Sequence, residues 1–216
     1  MAGQLRDYEA WHGDYDNPSS GLRWRLLMVR RYIAALLDER DGPLQLLSVC
    51  AGDGRDMIGV LAERADALRV HATLLEIHPR IAERARRSAA AAGLAGNVEV
   101  RTVDAGASDA YHDLPPADLV LLVGIFGNIN DEDLQRTITA SAELCAPGAA
   151  LLWSRGRGGT LLDRNDAVRA WFAAAGFTEL DYVTSERGHR PALGLVRYDG
   201  PQRSVLPGQR WFTFAR

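Results

Sequence analysis

Five short runs rich in Val and Leu recur through the middle of the chain, and the segments between them are of helical length. The runs are Leu44–Cys50, Val70–Ile77, Val98–Val103, Ala117–Gly124 and Ala149–Ser154. A run that is apolar at nearly every position predicts a strand buried on both faces, as in a parallel sheet. The segments between them are rich in Arg, Glu and Ala. Pro79–Ala92 repeats Ile81, Ala85 and Ala89 at helical spacing, opens on a proline suited to a first turn, and stops at Gly93. Asp131–Leu144 is a second such segment, with Leu134, Ile138 and Leu144 on one side and Pro147-Gly148 beyond its end. Strands alternating with helices predict a doubly wound α/β domain with helices on both faces of a mostly parallel sheet.

The two ends differ from this pattern. Leu22–Leu37 carries Leu22, Leu26, Val29, Ile33, Leu36 and Leu37 on one face and predicts an amphipathic helix. Before it, Tyr8, Trp11, His12, Tyr15 and Asp16 form an aromatic and acidic stretch without a period. After a helix over Asp163–Ala175 come three strand-like pieces, Phe177–Thr184, Leu193–Tyr198 and Trp211–Phe214. Gly188, Pro191, Gly200-Pro201 and Pro207-Gly208 punctuate them and predict antiparallel strands at the sheet edge. With 216 residues the expectation is one domain, residues 1–40 being an N-terminal lid and helix and residues 44–216 the core.

Composition narrows the function classes. The net charge of −3 and the lack of a basic stripe argue against nucleic acid as partner. The longest apolar stretches, such as Ala117–Phe126, are about half the ~20 residues a membrane span needs. No basic segment precedes an apolar core at the N-terminus, so no secretory signal is read there, and Cys50 and Cys145 are expected to be free thiols in a reducing cytoplasm. All 25 basic residues are Arg, which removes P-loop, Schiff-base and pyridoxal mechanisms at once.

The most informative stretch is Ser48-Val49-Cys50-Ala51-Gly52-Asp53-Gly54-Arg55-Asp56, where a predicted strand runs into Gly-x-Gly before a helix bearing Met57, Ile58, Val60 and Leu61. Glycines permit a tight strand-to-helix bend and close approach of a ligand. The next strand ends at Glu76, 22 residues beyond Gly54, close to the spacing of about 20 expected of a ribose-binding acid. A third strand ends at Val103-Asp104-Ala105. These signals favour an adenosine-containing ligand lying across the C-terminal strand ends. Met57 stands where a dinucleotide fingerprint has its third glycine, and Asp53 and Asp56 suit a cationic ligand group better than phosphates.

These segments resemble the motifs of class I S-adenosylmethionine-dependent methyltransferases. Ser48–Asp56 is similar to their first motif, Leu74-Leu75-Glu76 to the second and Val103-Asp104-Ala105 to the third. Asp118–Asn128 resembles the fourth strand and its loop, and Leu144–Ala149 the turn before the fifth. The Cys-Ala-Gly-Asp-Gly-Arg-Asp turn resembles an actinobacterial type of these enzymes. The resemblance implies a Rossmann-like sheet and S-adenosyl-L-methionine as cofactor. It places Cys50, Ala51, Gly52, Asp53 and Gly54 at the methionine and ribose portions, Glu76 on the ribose, and Ile77, Asp104 and Ala105 at the adenine. Gly124 and Phe126 would line the methionine side. Cys50 stands where the family carries an acid, so the ammonium group must find other acceptors.

Trp11–Asp16 resembles the lid of small-molecule methyltransferases. There Tyr15 would reach the cofactor's carboxylate or methyl region, and Arg23 would pair with the carboxylate. Methyl transfer needs alignment and exclusion of water, and a general base only where the acceptor requires one. His12, Tyr15 and Asn128 are the candidates. A small organic acceptor is expected, with a monomer or homodimer as the working form. The alternatives are a protein that binds S-adenosylmethionine without transferring methyl, a nicotinamide oxidoreductase, disfavoured by Met57, and an aminopropyl transferase, whose acidic set is not recognisable.

Overall fold

A computed structural model describes residues 15, 17, 19–158, 163–187 and 190–214. Along the chain come α1 (Gly21–Asp38), β1 (Leu44–Val49), α2 (Met57–Leu61), β2 (Val70–Leu75), α3 (Pro79–Ala91) and β3 (Val98–Arg101). They are followed by β4 (Ala117–Leu122), α4 (Asp131–Ser141), β5 (Cys145–Gly156), α5 (Asp166–Ala174), β6 (Phe177–Thr184) and β7 (Pro191–Tyr198). The strands join in one seven-stranded sheet ordered β3-β2-β1-β4-β5-β7-β6. The first five are parallel, and β7 lies antiparallel between β5 and β6. The chain builds outward from β1 to β3 and then returns to β1's other side for β4. The crevice over β1 and β4 is therefore the switch point where such sheets bind ligands.

Local chemistry sets the helix boundaries. The Ser20 hydroxyl caps α1 by accepting the Leu22 N–H at 3.0 Å, and Val29, Ile33, Leu36 and Leu37 form its buried stripe. Asn130 caps α4 through the Asp133 N–H at 2.8 Å, and Asp131, Glu132 and Asp133 complement the positive end of its dipole. One apolar layer joins α1, α2 and α3 to the sheet through Ile33, Leu37, Met57, Leu61 and Ala85. The opposite layer joins α4 and α5 through Leu134, Ile138, Trp153 and Phe172. Among the described residues no helix is long and apolar enough to cross a membrane.

Three expectations need correction. β2 and β3 are not buried on both faces: His71 and Glu99 are exposed, Thr73 and Arg101 half-buried. The connection from β3 to β4 contains only a single 3-10 turn, Ser108–Ala110, so no helix covers that face. A groove of about 340 Å³ remains, lined by Gln45, His71, Thr73, Glu99, Arg101 and Asp113 among others. The alternation Val-His-Ala-Thr and Val-Glu-Val-Arg is the pattern of a half-exposed strand.

The turn expected at Pro147-Gly148 lies inside β5, which begins at Cys145; a register shift against β4 absorbs it. Trp211–Phe214 forms no strand; an isolated bridge joins the preceding Arg210 to Ala107, and the Thr213 N–H donates to Asp133 of α4. Trp211 and Phe212 are consecutive yet both buried, which the two-residue period of an edge strand with one solvated face does not allow.

Candidate cofactor site

The site begins where β1 stops. The backbone takes left-handed angles at Cys50 (φ 54°), Gly52 (φ 61°) and Gly54 (φ 68°). Gly54 is required twice over, because a Cβ there would also lie 2.5 Å from the Leu74 side chain. Cys50 holds its angle without being glycine, a local strain that the surrounding packing must support. The Ala51 N–H donates to the Leu75 carbonyl at 2.8 Å, carrying the β1–β2 pairing one step beyond the strands.

Glu76 follows β2 directly and is 8% exposed. One carboxylate oxygen accepts the Gly52 N–H at 2.9 Å and the other the His78 N–H at 2.8 Å. The glycine turn and the strand-end acid, read separately in the sequence, are thus bonded to each other. An ionised carboxylate offers about four acceptor positions, so two bonds leave room for a pair of hydroxyls.

The acids of the turn do something other than expected. Asp53 is gripped by Arg55, Nε at 2.9 Å and Nη2 at 2.6 Å, a bidentate pair within the loop. Asp56 caps α2 by accepting the Met57 N–H at 2.7 Å. Burial pushes the Asp56 carboxyl up, more than the Met57 N–H and the Arg25 guanidinium draw it down. A ligand's cationic group is therefore not what balances Asp53. The same cap bears on dinucleotides, since the helix end where a pyrophosphate would sit already carries a carboxylate.

α1 supports this turn from one side. Arg30 donates twice to the Arg55 carbonyl, at 3.1 and 2.7 Å, passing so close to Gly59 that a Cβ there would lie 1.7 Å from its guanidinium. Tyr15 is 9% exposed; its hydroxyl accepts from Arg25 at 2.9 Å and its ring lies 4.4 Å from the Arg55 guanidinium carbon. Arg23 donates to the Tyr15 carbonyl at 3.3 Å. It is Arg25 that borders Gly124, 3.5 Å from where a Cβ on that residue would stand. The residue expected to pair with the cofactor's carboxylate is Arg23, two positions before Arg25. On a helix the two differ by about 200° of azimuth, which an unanchored helix leaves undetermined.

Gly124 follows β4, its N–H donating to the Ser154 hydroxyl at 2.9 Å and its carbonyl accepting the Asn128 amide at 2.8 Å. Asn128 therefore shapes this loop. The expectation for Phe126 is corrected: its ring is fully buried against Trp153 at 6.0 Å and Phe172 at 6.2 Å, a core residue rather than a wall of the cleft. His12 lies outside the described residues.

On the other side, Ile77 is 59% exposed and Ala105 is buried. Asp104 accepts the Gly106 N–H at 2.9 Å and Arg210 Nη1 at 2.6 Å. Burial pulls the Asp104 carboxyl up, but Arg210 and the Gly106 N–H outweigh it and hold it below the usual range. Cys50 is half-buried against the core; burial first, then Glu76 and Asp104, push its thiol far up, so it remains protonated at neutral pH.

No protein-family profile matches the chain, and no curated protein matches its sequence. Solved structures do. The magnesium protoporphyrin IX methyltransferase ChlM of Synechocystis PCC 6803 with bound SAM aligns with TM-score 0.70 at 16% identity, over 89% of this chain and 91% of that one. A SAM-dependent methyltransferase from Thiobacillus denitrificans in complex with S-adenosyl-L-homocysteine aligns with TM-score 0.58 at 16% identity, over 79% and 90%. The [4+2]-cyclase SpnF aligns with TM-score 0.56 at 17% identity, over 80% and 82%. Strand order, the antiparallel β7 and the helix ahead of β1 agree with these neighbours: the chain has the fold of the class I S-adenosylmethionine-dependent methyltransferases.

Proposed function

We propose that the protein transfers a methyl group from S-adenosylmethionine to a small organic acceptor. The observation that carries this reading is Glu76, locked by two backbone N–H groups at the switch point and bonded to the glycine turn itself. The donor set fits the group. Glu76 supplies acceptors for a ribose diol, exposed Ile77 a surface for the base, and Asp104 with Ala105 a polar edge for the adenine amine. Arg25 beside Gly124 supplies a guanidinium for a carboxylate. The half-buried turn from Cys50 to Gly52 brings backbone rather than bulk to the cleft. A pyrophosphate fits less well, because Asp56 caps α2 and no Lys exists in the chain.

When bound, the cofactor supplies an electrophilic methyl on a sulfonium leaving group. The protein's task is then orientation and dryness. Arg30 and Glu76 hold the glycine turn in one geometry, so the turn does not reorganise when the ligand arrives. Tyr15 and Arg55 stack over the turn's outer side and limit water there. Asn128 and Ser154 fix the Gly124 peptide. The Tyr15 hydroxyl is engaged by Arg25 and the Asn128 amide by Gly124, which supports positioning roles for both and an acceptor that needs no strong base.

A second reading, an S-adenosylmethionine-binding protein that transfers no methyl, is favoured by the likeness to a chain named as a cyclase. Incubation with methyl-labelled S-adenosylmethionine and metabolite pools separates the two. Labelled product with stoichiometric S-adenosylhomocysteine supports transfer; tight binding with no S-adenosylhomocysteine formed across all pools contradicts it.

A further inference from the structure

The loop between β3 and β4 carries the adenine-side residues Asp104 and Ala105, yet no helix of its own braces it. What braces it is the C-terminal segment, residues 206–214. The Ser108 N–H donates to the Gln209 carbonyl at 3.0 Å, and the Gln209 N–H to the Ser108 hydroxyl at 2.9 Å. The Trp211 N–H reaches the Gly106 carbonyl at 2.8 Å, and the Gly208 N–H reaches Asp109 at 2.7 Å. Trp211 stacks on Tyr111 with ring centroids 4.6 Å apart, both rings fully buried, while the Tyr111 hydroxyl donates to the Ala105 carbonyl at 2.6 Å. A Cβ on Gly106 would stand 2.3 Å from the Phe212 carbonyl, so loop and segment meet backbone to backbone. The far end of the segment is tied to α4, where the Thr213 N–H donates to Asp133 at 3.0 Å.

Within this seam one contact is of a different kind. Arg210 reaches out to the Asp104 carboxylate, a half-exposed pair, instead of packing inward. With one oxygen held by the Gly106 N–H and the other by Arg210, the carboxylate has one rotamer and one orientation. We infer that the C-terminal segment is a working part of the cofactor site, and that Arg210 is a positioning residue that aims the Asp104 carboxylate at the exocyclic amine of the bound adenine. This rests on the S-adenosylmethionine reading above. An amine donates hydrogen bonds where the oxo group of hypoxanthine only accepts them, so an aimed carboxylate favours the amine and repels the oxo group. A carboxylate free to swing away discriminates less.

The test measures dissociation constants for S-adenosylhomocysteine and for S-inosylhomocysteine, its 6-oxo counterpart, on the full chain and on Arg210→Ala, Arg210→Gln and Arg210→Lys. Arg210 is half-exposed, and melting curves confirm that the variants fold. The full chain should prefer the adenine ligand by at least about tenfold, the discrimination of a polar edge that fits one partner only. In Arg210→Ala and Arg210→Gln, S-adenosylhomocysteine should weaken about two- to fivefold, the range of a partly exposed charged contact. S-inosylhomocysteine should change little, so the preference narrows; Arg210→Lys should restore part of it. Equal weakening of both ligands, or no change in either, would make Arg210 a merely structural brace and overturn the inference while leaving the methyltransferase reading intact. If the full chain binds neither ligand, both fall together.

Discussion

The two flanks of the candidate site are built by opposite strategies. On the glycine-turn flank, the fixing contacts described above come from nearby chain: Glu76 and His78 just past β2, Arg55 on Asp53 two residues away, and Arg30 from the helix immediately before β1. On the adenine flank, the loop after β3 is fixed by residues about a hundred positions downstream, Gln209, Arg210 and Trp211. The first flank forms with the central strands. The second is complete only when the end of the chain has docked, so its order is set by a separate and long-range event.

The comparison is most sharply broken at Trp211. Trp211→Ala removes a fully buried ring stacked on Tyr111 and should cost roughly 3–5 kcal/mol of stability by chemical unfolding. Hydrogen exchange should show the rise in opening concentrated at residues 104–111, with Val49 and Leu121 little changed. Uniform loss across both flanks would contradict the separation. On the opposite flank, Glu76→Ala removes the ribose acceptors and should weaken S-adenosylhomocysteine binding by roughly 2–4 kcal/mol, each charge-assisted bond being worth ~1.5–3 kcal/mol with partial compensation by water. Unchanged affinity in a folded variant would place the ribose elsewhere.

Smaller effects test how α1 serves the turn. Gly59→Ala would put a Cβ into the Arg30 guanidinium. The guanidinium can swing away, so the expected loss is that of its bonds to the Arg55 carbonyl, about 1–2 kcal/mol in stability, with weaker cofactor binding in the same titrations. A variant as stable as the parent would mean that Arg30 is not a brace.

The smallest effect has the opposite sign. The folded Asp56 carboxyl lies above its unfolded value, so the folded state binds its proton more tightly. Its charged form therefore detracts from stability above about pH 4, and that penalty fades as pH falls through the folded value and below. Asp56→Asn keeps an oxygen for the Met57 N–H and should be more stable near neutral pH by up to about 1 kcal/mol, with the advantage fading in acid. A destabilised Asn variant at neutral pH would show that the charge itself is needed, through Arg25.

This division also decides what was legible in the sequence. The glycine turn after β1, the acid after β2 and the α3 and α4 positions come from local patterns, and local patterns survive in a linear reading; the strand order and the bond between Gly52 and Glu76 come from the structure. The Cys50–Asp56 turn was legible as a turn, but the partners of Asp53 and Asp56 were not. Nothing in Gly-Asp-Gly-Arg-Asp says whether a carboxylate faces a ligand, an arginine or a helix end. The resemblance places Phe126 at the cleft; its burial against Trp153 and Phe172 depends on two distant segments. The alternation in β2 and β3 is present in the sequence, but in runs this short one polar residue in two reads equally as a buried strand. The C-terminal segment reads in the sequence as one more edge strand, Trp211–Phe214, because its apolar and aromatic residues carry no sign of a partner loop. That it is a brace follows from the missing helix between β3 and β4, a fact about what that connection omits rather than what Trp211–Phe214 contains.

The account's central claim is that Glu76 and the glycine turn together form an adenosine site for a ligand without phosphates. Calorimetric titration of the full chain with S-adenosylhomocysteine and, separately, with NAD tests it most directly. The account predicts saturable one-to-one binding of S-adenosylhomocysteine and no comparable heat with NAD. Binding of NAD tighter than S-adenosylhomocysteine would contradict it.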